Sequence, residues 1–171
     1  MNQAALNQFV QIFTLEDQAA AQRVSERLAL VLSNPENYLG AYEEELAERG
    51  ILSALPPQEL RDIALIDALL MEDLAWESDW VDTAPAIAEG LNDILARQNR
   101  TQTLLPNTLI GRREPGPEQL DTVQDALEKI GLALVLFTLD SDSYPLGIVA
   151  EADVEQVRSL AKELGFELVV Y

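Results

Sequence analysis

The sequence predicts an α+β protein in which a helical N-terminal half packs on a small mixed sheet built by a C-terminal β-hairpin, helix and strand. Three observations carry this. Apolar residues recur at helical spacing through the first hundred residues, and Leu132 to Leu139 is a near-continuous apolar run, as in a strand covered on both faces. Gly50, Gly131 and Gly165 each follow a helical stripe, where a helix stop needs a left-handed residue. The 171 residues, 48% hydrophobic, fit one domain over 1–171. It is mainly helical over 1–98, irregular and basic over 99–117, and α-β-β-α-β over 118–171. Area scaling at this size implies burial of roughly 70% of the unfolded surface.

Leu6, Phe9, Val10 and Phe13 make the first stripe. Thr14 with Asp17 reads as a capping box opening a second helix through Val24, Leu28, Val31 and Leu32. Asn34 then caps a third, with Pro35 first, Leu39, Tyr42 and Leu46 on one face and Gly50 as its stop. Pro56 and Pro57 open a fourth, whose inward residues are Leu60, Ile63, Ile66, Leu70 and Leu74. A fifth begins near Thr83 with Ile87, Leu91, Ile94 and Leu95 inward. Between Asn99 and Gly116 the periodicity fails, and Leu104, Leu105, Leu109 and Ile110 are expected to anchor the segment, as a short strand.

Pro117, Glu118 and Asp121 open the next helix, and Lys129 and Gly131 close it, with Leu120, Val123, Leu127 and Ile130 on its face. The strand from Leu132 turns at Asp140 to Ser143 and returns over Tyr144 to Ala150. Pro145 cannot donate to a ladder, so this second strand is expected at an edge, or bulged at Gly147. Val154, Val157, Leu160, Ala161 and Leu164 form the last helix before the strand Phe166 to Tyr171. A right-handed crossover sets that strand parallel to 144–150, with 132–139 between them.

Composition excludes much chemistry. Without Cys there are no disulfides, thiolate nucleophiles or cysteine-ligated metals, and without His there is no imidazole acid/base catalysis or Ser-His-Asp triad. Two lysines, nine arginines, hydroxyls and thirty acids remain, and no phosphate loop, dinucleotide glycine pattern or nucleophile elbow is present. The first thirteen residues carry no Lys or Arg, and no apolar run approaches a bilayer span. A cytoplasmic protein without a signal is expected. A net charge of −19 disfavours nucleic acid and anionic membrane and favours a basic protein partner, although solubility alone would account for it.

The acids are unevenly placed. Asp62, Asp67, Glu72, Asp73, Glu77, Asp79, Asp82, Glu89 and Asp93 lie between 62 and 96 with no Lys or Arg among them. Arg97, Arg100, Arg112 and Arg113 follow with no acid. Either the basic segment folds back on the acidic helices, or the acidic face stays free for a partner. Trp76-Glu77-Ser78-Asp79-Trp80 holds both tryptophans. At helical spacing their rings share a face, and beside carboxylates they suit an arginine-rich partner; closing the core is the plainer role. The partner-binding candidates are Glu72, Asp73, Trp76, Glu77, Asp79, Trp80 and Asp82.

Asp140 and Asp142 are the metal candidates, for magnesium or calcium. With Glu151 they occupy positions 1, 3 and 12 of a calcium-loop pattern, which fails at Tyr144 and Pro145 where the loop needs an oxygen ligand and a glycine. Turn chemistry accounts for Asp140-Ser141-Asp142-Ser143 without a metal.

The Trp76 to Trp80 motif, together with Asp140-Ser141-Asp142-Ser143-Tyr144-Pro145-Leu146, resembles a small bacterial domain family of unknown function over roughly residues 40 to 171. That resemblance implies a helical front and an α/β back and brings no activity with it. In size and acidity the chain is also similar to the immunity proteins of bacterial toxin systems. The expected function is a non-enzymatic acidic binding module, of inhibitor or immunity type, without cofactor. The alternatives are a divalent-cation-dependent hydrolase using Asp140 and Asp142, and a structural domain whose charge serves solubility.

Overall fold

Asn2, Asp17 and Asn34 set the first three helices, because their side-chain oxygens accept the N–H of Ala5, Ala20 and Asn37 at the helix starts. The computed structural model, which describes residues 1–109 and 114–171, contains α1 (Gln3–Thr14), α2 (Gln18–Ser33), α3 (Pro35–Ala41), α4 (Glu43–Glu48) and α5 (Pro57–Met71). After these come β1 (Trp76–Asp79), α6 (Ala84–Arg97), α7 (Pro117–Glu128), β2 (Leu132–Phe137), β3 (Ser143–Ala150), α8 (Val154–Leu164) and β4 (Leu168–Val170). Thr14 does not open a capping box: its hydroxyl donates to the Val10 carbonyl at 3.1 Å inside α1, and Asp17 alone caps α2. The single helix expected from Pro35 to Gly50 breaks at Tyr42 (φ −116°, ψ 25°). There the Tyr42 ring stacks on Tyr38 with centroids 4.5 Å apart and lies 4.0 Å from the Arg27 guanidinium carbon.

The sheet order is β1-β3-β2-β4, and every adjacent pair is antiparallel instead of mixed. As expected, β4 runs parallel to β3 with β2 between them. The edge placement of 144–150 is corrected: β1 pairs along β3 from Trp76 opposite Leu146 to Asp79 opposite Ser143, so β3 is interior. Pro145 is tolerated there for a geometric reason. Trp80 N–H donates to the Asp142 carbonyl and Glu151 N–H to Gly131, which fixes the alternation. Tyr144 and Leu146 therefore turn their backbone groups toward β1, and the Pro145 nitrogen faces β2 where that pairing has ended, at Leu136 opposite Leu146. Gly147 makes no bulge, since the register runs through it; a Cβ there would stand 2.9 Å from Phe137 Cε2.

The apolar run of β2 serves two cores. Ala133, Val135 and Phe137, with Val149 of β3, face a core filled from α1, α2, α5 and α8, whereas Leu132, Leu134, Leu146 and Ile148 face one filled from α6 and α7. The sheet is thus the middle of three layers. Leu104 and Leu109 are buried against the second core, but around a short 3₁₀ turn at Pro106–Thr108 instead of a strand, with Leu105 exposed. Ile110 lies outside the described residues.

One correction repositions the candidate surface. Helix α5 stops at Met71, because Asp73 takes the left-handed conformation (φ 56°); its N–H bonds to the Leu70 carbonyl and that of Leu74 to Leu69. The segment from Trp76 is consequently extended, so Trp76 and Trp80 do not share a helical face. No helix among the described residues is long and apolar enough to cross a membrane.

Candidate partner-binding surface

Two groups stand out among the acids of the 62–96 segment. The first is bound to arginines from α2, from the end of α4 and from the end of α6. Arg49 Nε donates to Asp67 Oδ1 at 2.8 Å and its Nη2 to Glu77 Oε1 at 2.5 Å. Arg27, itself buried, donates from Nε to the Tyr38 hydroxyl at 3.0 Å and from Nη2 to Glu45. Glu72 is buried at 8% exposure and accepts Arg23 through a two-pronged contact of 2.8 and 2.7 Å, while Arg97 reaches it at 3.5 Å and Asp17 at 2.8 Å.

The ionisation behaviour follows the contacts. The Arg23 hydrogen bond, opposed by burial, holds the Glu72 carboxyl below its ordinary value. Asp67 is displaced the other way, because burial outweighs its bond to Arg49. Burial also raises Asp62, against the Glu167 N–H and Gln58 amide that it accepts. Tyr38 is pushed up to about 12 by burial, against the nearby Arg27. Two of the sequence candidates, Glu72 and Glu77, therefore act inside the fold. The basic segment folds back through Arg97: among the described residues Arg100 pairs with no acid, and Arg112 and Arg113 lie outside them.

Trp76 is also spoken for. Its half-buried ring lies on Gly90 of α6, so closely that a Cβ on residue 90 would stand 2.4 Å from Trp76 Cδ2 and Cε2. Asp73 is exposed but stands before β1, where it lines a shallow groove with Trp76 and Asp93.

The second group collects at the other end of β1. Because β1 pairs with β3, the Trp80 N–H donates to the Asp142 carbonyl at 3.0 Å and Asp79 stands opposite Ser143. Two constellations about sixty residues apart in sequence thus become one surface. Trp80 and Val81 are 46% and 50% exposed, and Asp79, Asp140 and Asp142 are exposed around them. None of these three acids forms an ion pair with any described residue. Asp82 acts locally, since its Oδ2 accepts the Asp79 N–H at 2.9 Å and the Ser78 hydroxyl at 3.1 Å, folding the turn that presents Trp80. Asp79 Oδ1 accepts the Val81 N–H at 3.1 Å.

At the hairpin tip, the Ser143 N–H donates to the Ser141 hydroxyl, and the two hydroxyls lie 2.9 Å apart. Among the described residues no group of three or more His, Cys, Asp or Glu is arranged to hold a metal ion. What the surface offers is carboxylate acceptors beside an exposed indole face, a combination suited to guanidinium and ammonium groups. Val81 was missed by sequence reasoning because it lies between the expected helices and carries no charge, and the union with Asp140 and Asp142 because nothing local encodes the β1–β3 pairing.

Fold and surface together define a three-layer α+β domain with an acidic, tryptophan-bearing sheet end. The chain belongs to a family built on a domain of unknown function (DUF6630), whose model matches residues 5–171. No curated protein and no solved structure matches it.

Proposed function

We propose that this protein is a non-enzymatic binding module that engages a basic protein partner through Asp79, Trp80, Val81, Asp140 and Asp142, as an inhibitor or immunity-type protein would. The carrying observation is the Trp80 to Asp142 backbone bond, which gathers three acids, none in an ion pair among the described residues, around two exposed apolar side chains. An exposed Trp ringed by charge has the make-up of an interface anchor, and carboxylates outside any such pair are available to arginine or lysine from a partner. The net charge of −19 would speed the encounter with such a partner and disfavour nucleic acid. On this proposal the protein works in the cytoplasm of a bacterium, where a chain without cysteine needs no oxidising compartment.

The test is affinity capture from the native host with wild-type protein and with a Trp80→Ala, Asp79→Lys, Asp142→Lys variant whose fold is checked by circular dichroism. A basic protein captured by the wild type and lost with the variant supports the proposal. Capture of no basic protein, or equal capture by both, overturns it. Glu72 and Glu77 are unsuitable for this purpose, since reversing them would break contacts inside the fold.

A further inference from the structure

Far from the acidic sheet end, a cleft of about 920 Å³ opens between the end of α1, the turn into α2, the segment after α6 and the start of α8. Two arginines line it. Arg97 is committed to Asp17 and Glu72, but no carboxylate lies within ion-pair distance of Arg100 among the described residues. Arg61 also stands outside the ion pairs, yet it is satisfied by the Gly165 carbonyl and Gln58. Arg100 is not: its Nε donates to Gln98 Oε1 at 2.7 Å, and its Nη2 is enclosed by protein without an acceptor among the described residues.

Gln98 makes this arrangement rigid. It is buried at 4% exposure, and its amide nitrogen donates to the carbonyls of Phe13 and Ile148, both at 3.1 Å, so its oxygen is fixed in place for Arg100. The backbone is fixed as well: Asn99 adopts the left-handed conformation that ends α6, and the Arg100 N–H bonds to the Leu95 carbonyl. An enclosed guanidinium nitrogen without an acceptor among the described residues is costly, and Arg100 lines the cleft, where an incoming oxyanion would meet its charge.

Charge selects the class of oxyanion. Glu16 and Asp153 also line the cleft, so a phosphate dianion would meet local repulsion as well as the field of the whole chain. A zwitterion escapes both, with its carboxylate at Arg100 and its ammonium toward Asp153. Amide side chains at Gln8, Gln11 and Gln156 supply donors and acceptors for the remainder. We infer that this cleft is a binding site for a small zwitterionic carboxylate of the free amino-acid class, with Arg100 as its carboxylate anchor and Asp153 as its ammonium partner. The inference is independent of the protein-binding proposal.

The experiment titrates the full chain with pools of the common L-amino acids by calorimetry and ligand-observed NMR, with inorganic phosphate and acetate as controls. Saturable binding of at least one amino acid below about 10 mM, with phosphate weaker, is the expected result. Arg100→Gln should weaken it by about tenfold or more. Asp153→Asn, a change at a side chain without a hydrogen bond among the described residues, should weaken the amino acid several-fold while leaving acetate binding unchanged or stronger. If Arg100→Gln fails to fold, the Asp153→Asn comparison still decides the matter. No saturation by any pool, phosphate binding tighter than the zwitterions, or an affinity indifferent to both substitutions overturns the inference.

Discussion

Two acidic regions of this molecule have similar composition and opposite fates. Around Asp67, Glu72 and Glu77 the carboxylates are drawn into contacts with Arg23, Arg27, Arg49 and Arg97, whereas around Asp79, Asp140 and Asp142 no described arginine arrives. The arginines of the first region lie 18 to 49 residues away from their acids in sequence. A stretch that looks uncompensated along the chain is therefore compensated in space. An acidic run thus identifies a surface only after the long-range cations have been assigned.

Breaking the paired region should produce the largest effect. Arg49 is 19% exposed and serves both Asp67 and Glu77. Arg49→Ala leaves Asp67, 11% exposed and with no hydrogen-bond partner on Oδ2 among the described residues, with Arg27 at 3.9 Å as its remaining cation. The expected loss is about 3 kcal/mol, at the lower end for breaking a buried ion pair. Urea unfolding at neutral pH measures it, and a loss below about 1 kcal/mol would mean that the network behaves like an ordinary surface pair.

The same region sharpens the comparison through pH. Glu72 has its folded-state pKa lowered by Arg23, so its contribution is present above the ordinary carboxylate value of 4.5 and is lost as pH falls through the lowered one. Asp67 and Asp62 have raised values, so their contribution is present below the ordinary 3.8 and is lost as pH rises through the raised ones. Glu72→Gln should therefore cost about 1–2 kcal/mol at pH 7 and less on acidification, as the wild type loses its advantage. Unfolding followed from pH 7 to pH 3 checks this. Two parallel curves would show that the Arg23 contact carries no ionic component.

How much of this was legible in the sequence depends on the range of the interaction. Helix stripes, the Asn34-Pro35 start, the Gly50, Gly131 and Gly165 stops, and the two-faced strand at Leu132 are local patterns, and they locate nearly every element. The errors have local causes as well. Asp73 ends a helix with the conformation that glycine usually supplies, so α5 reads as longer than it is and β1 goes unrecognised. Without β1, Pro145 reads as marking an edge or a bulge at Gly147. The candidate surface is named in two halves, Asp79 with Trp80 and Asp140 with Asp142, and only the pairing of β1 with β3 joins them. Arg100 stands out in the sequence by its charge alone. Its lack of an acid partner depends on where the described carboxylates lie in space, which no window of sequence contains.

The smallest effect belongs to the acids outside the ion pairs, and it is the sharpest check on the comparison. Neutralising Asp79, Asp140 and Asp142 together, each to Asn, removes no ion pair among the described residues and keeps side chains that can serve the same turns. Lowering the charge of the chain from −19 to −16 should relieve self-repulsion, so stability should stay within about 0.5 kcal/mol of the wild type or rise slightly. Salt separates repulsion from other causes, because exposed charges are screened over about 10 Å at 0.1 M and about 3 Å at 1 M. Any gain should therefore be largest in low salt and vanish in high salt, as read by thermal unfolding across that range. A loss of stability greater than about 1 kcal/mol would mean that these carboxylates hold the hairpin together, and the distinction between the two acidic regions would collapse.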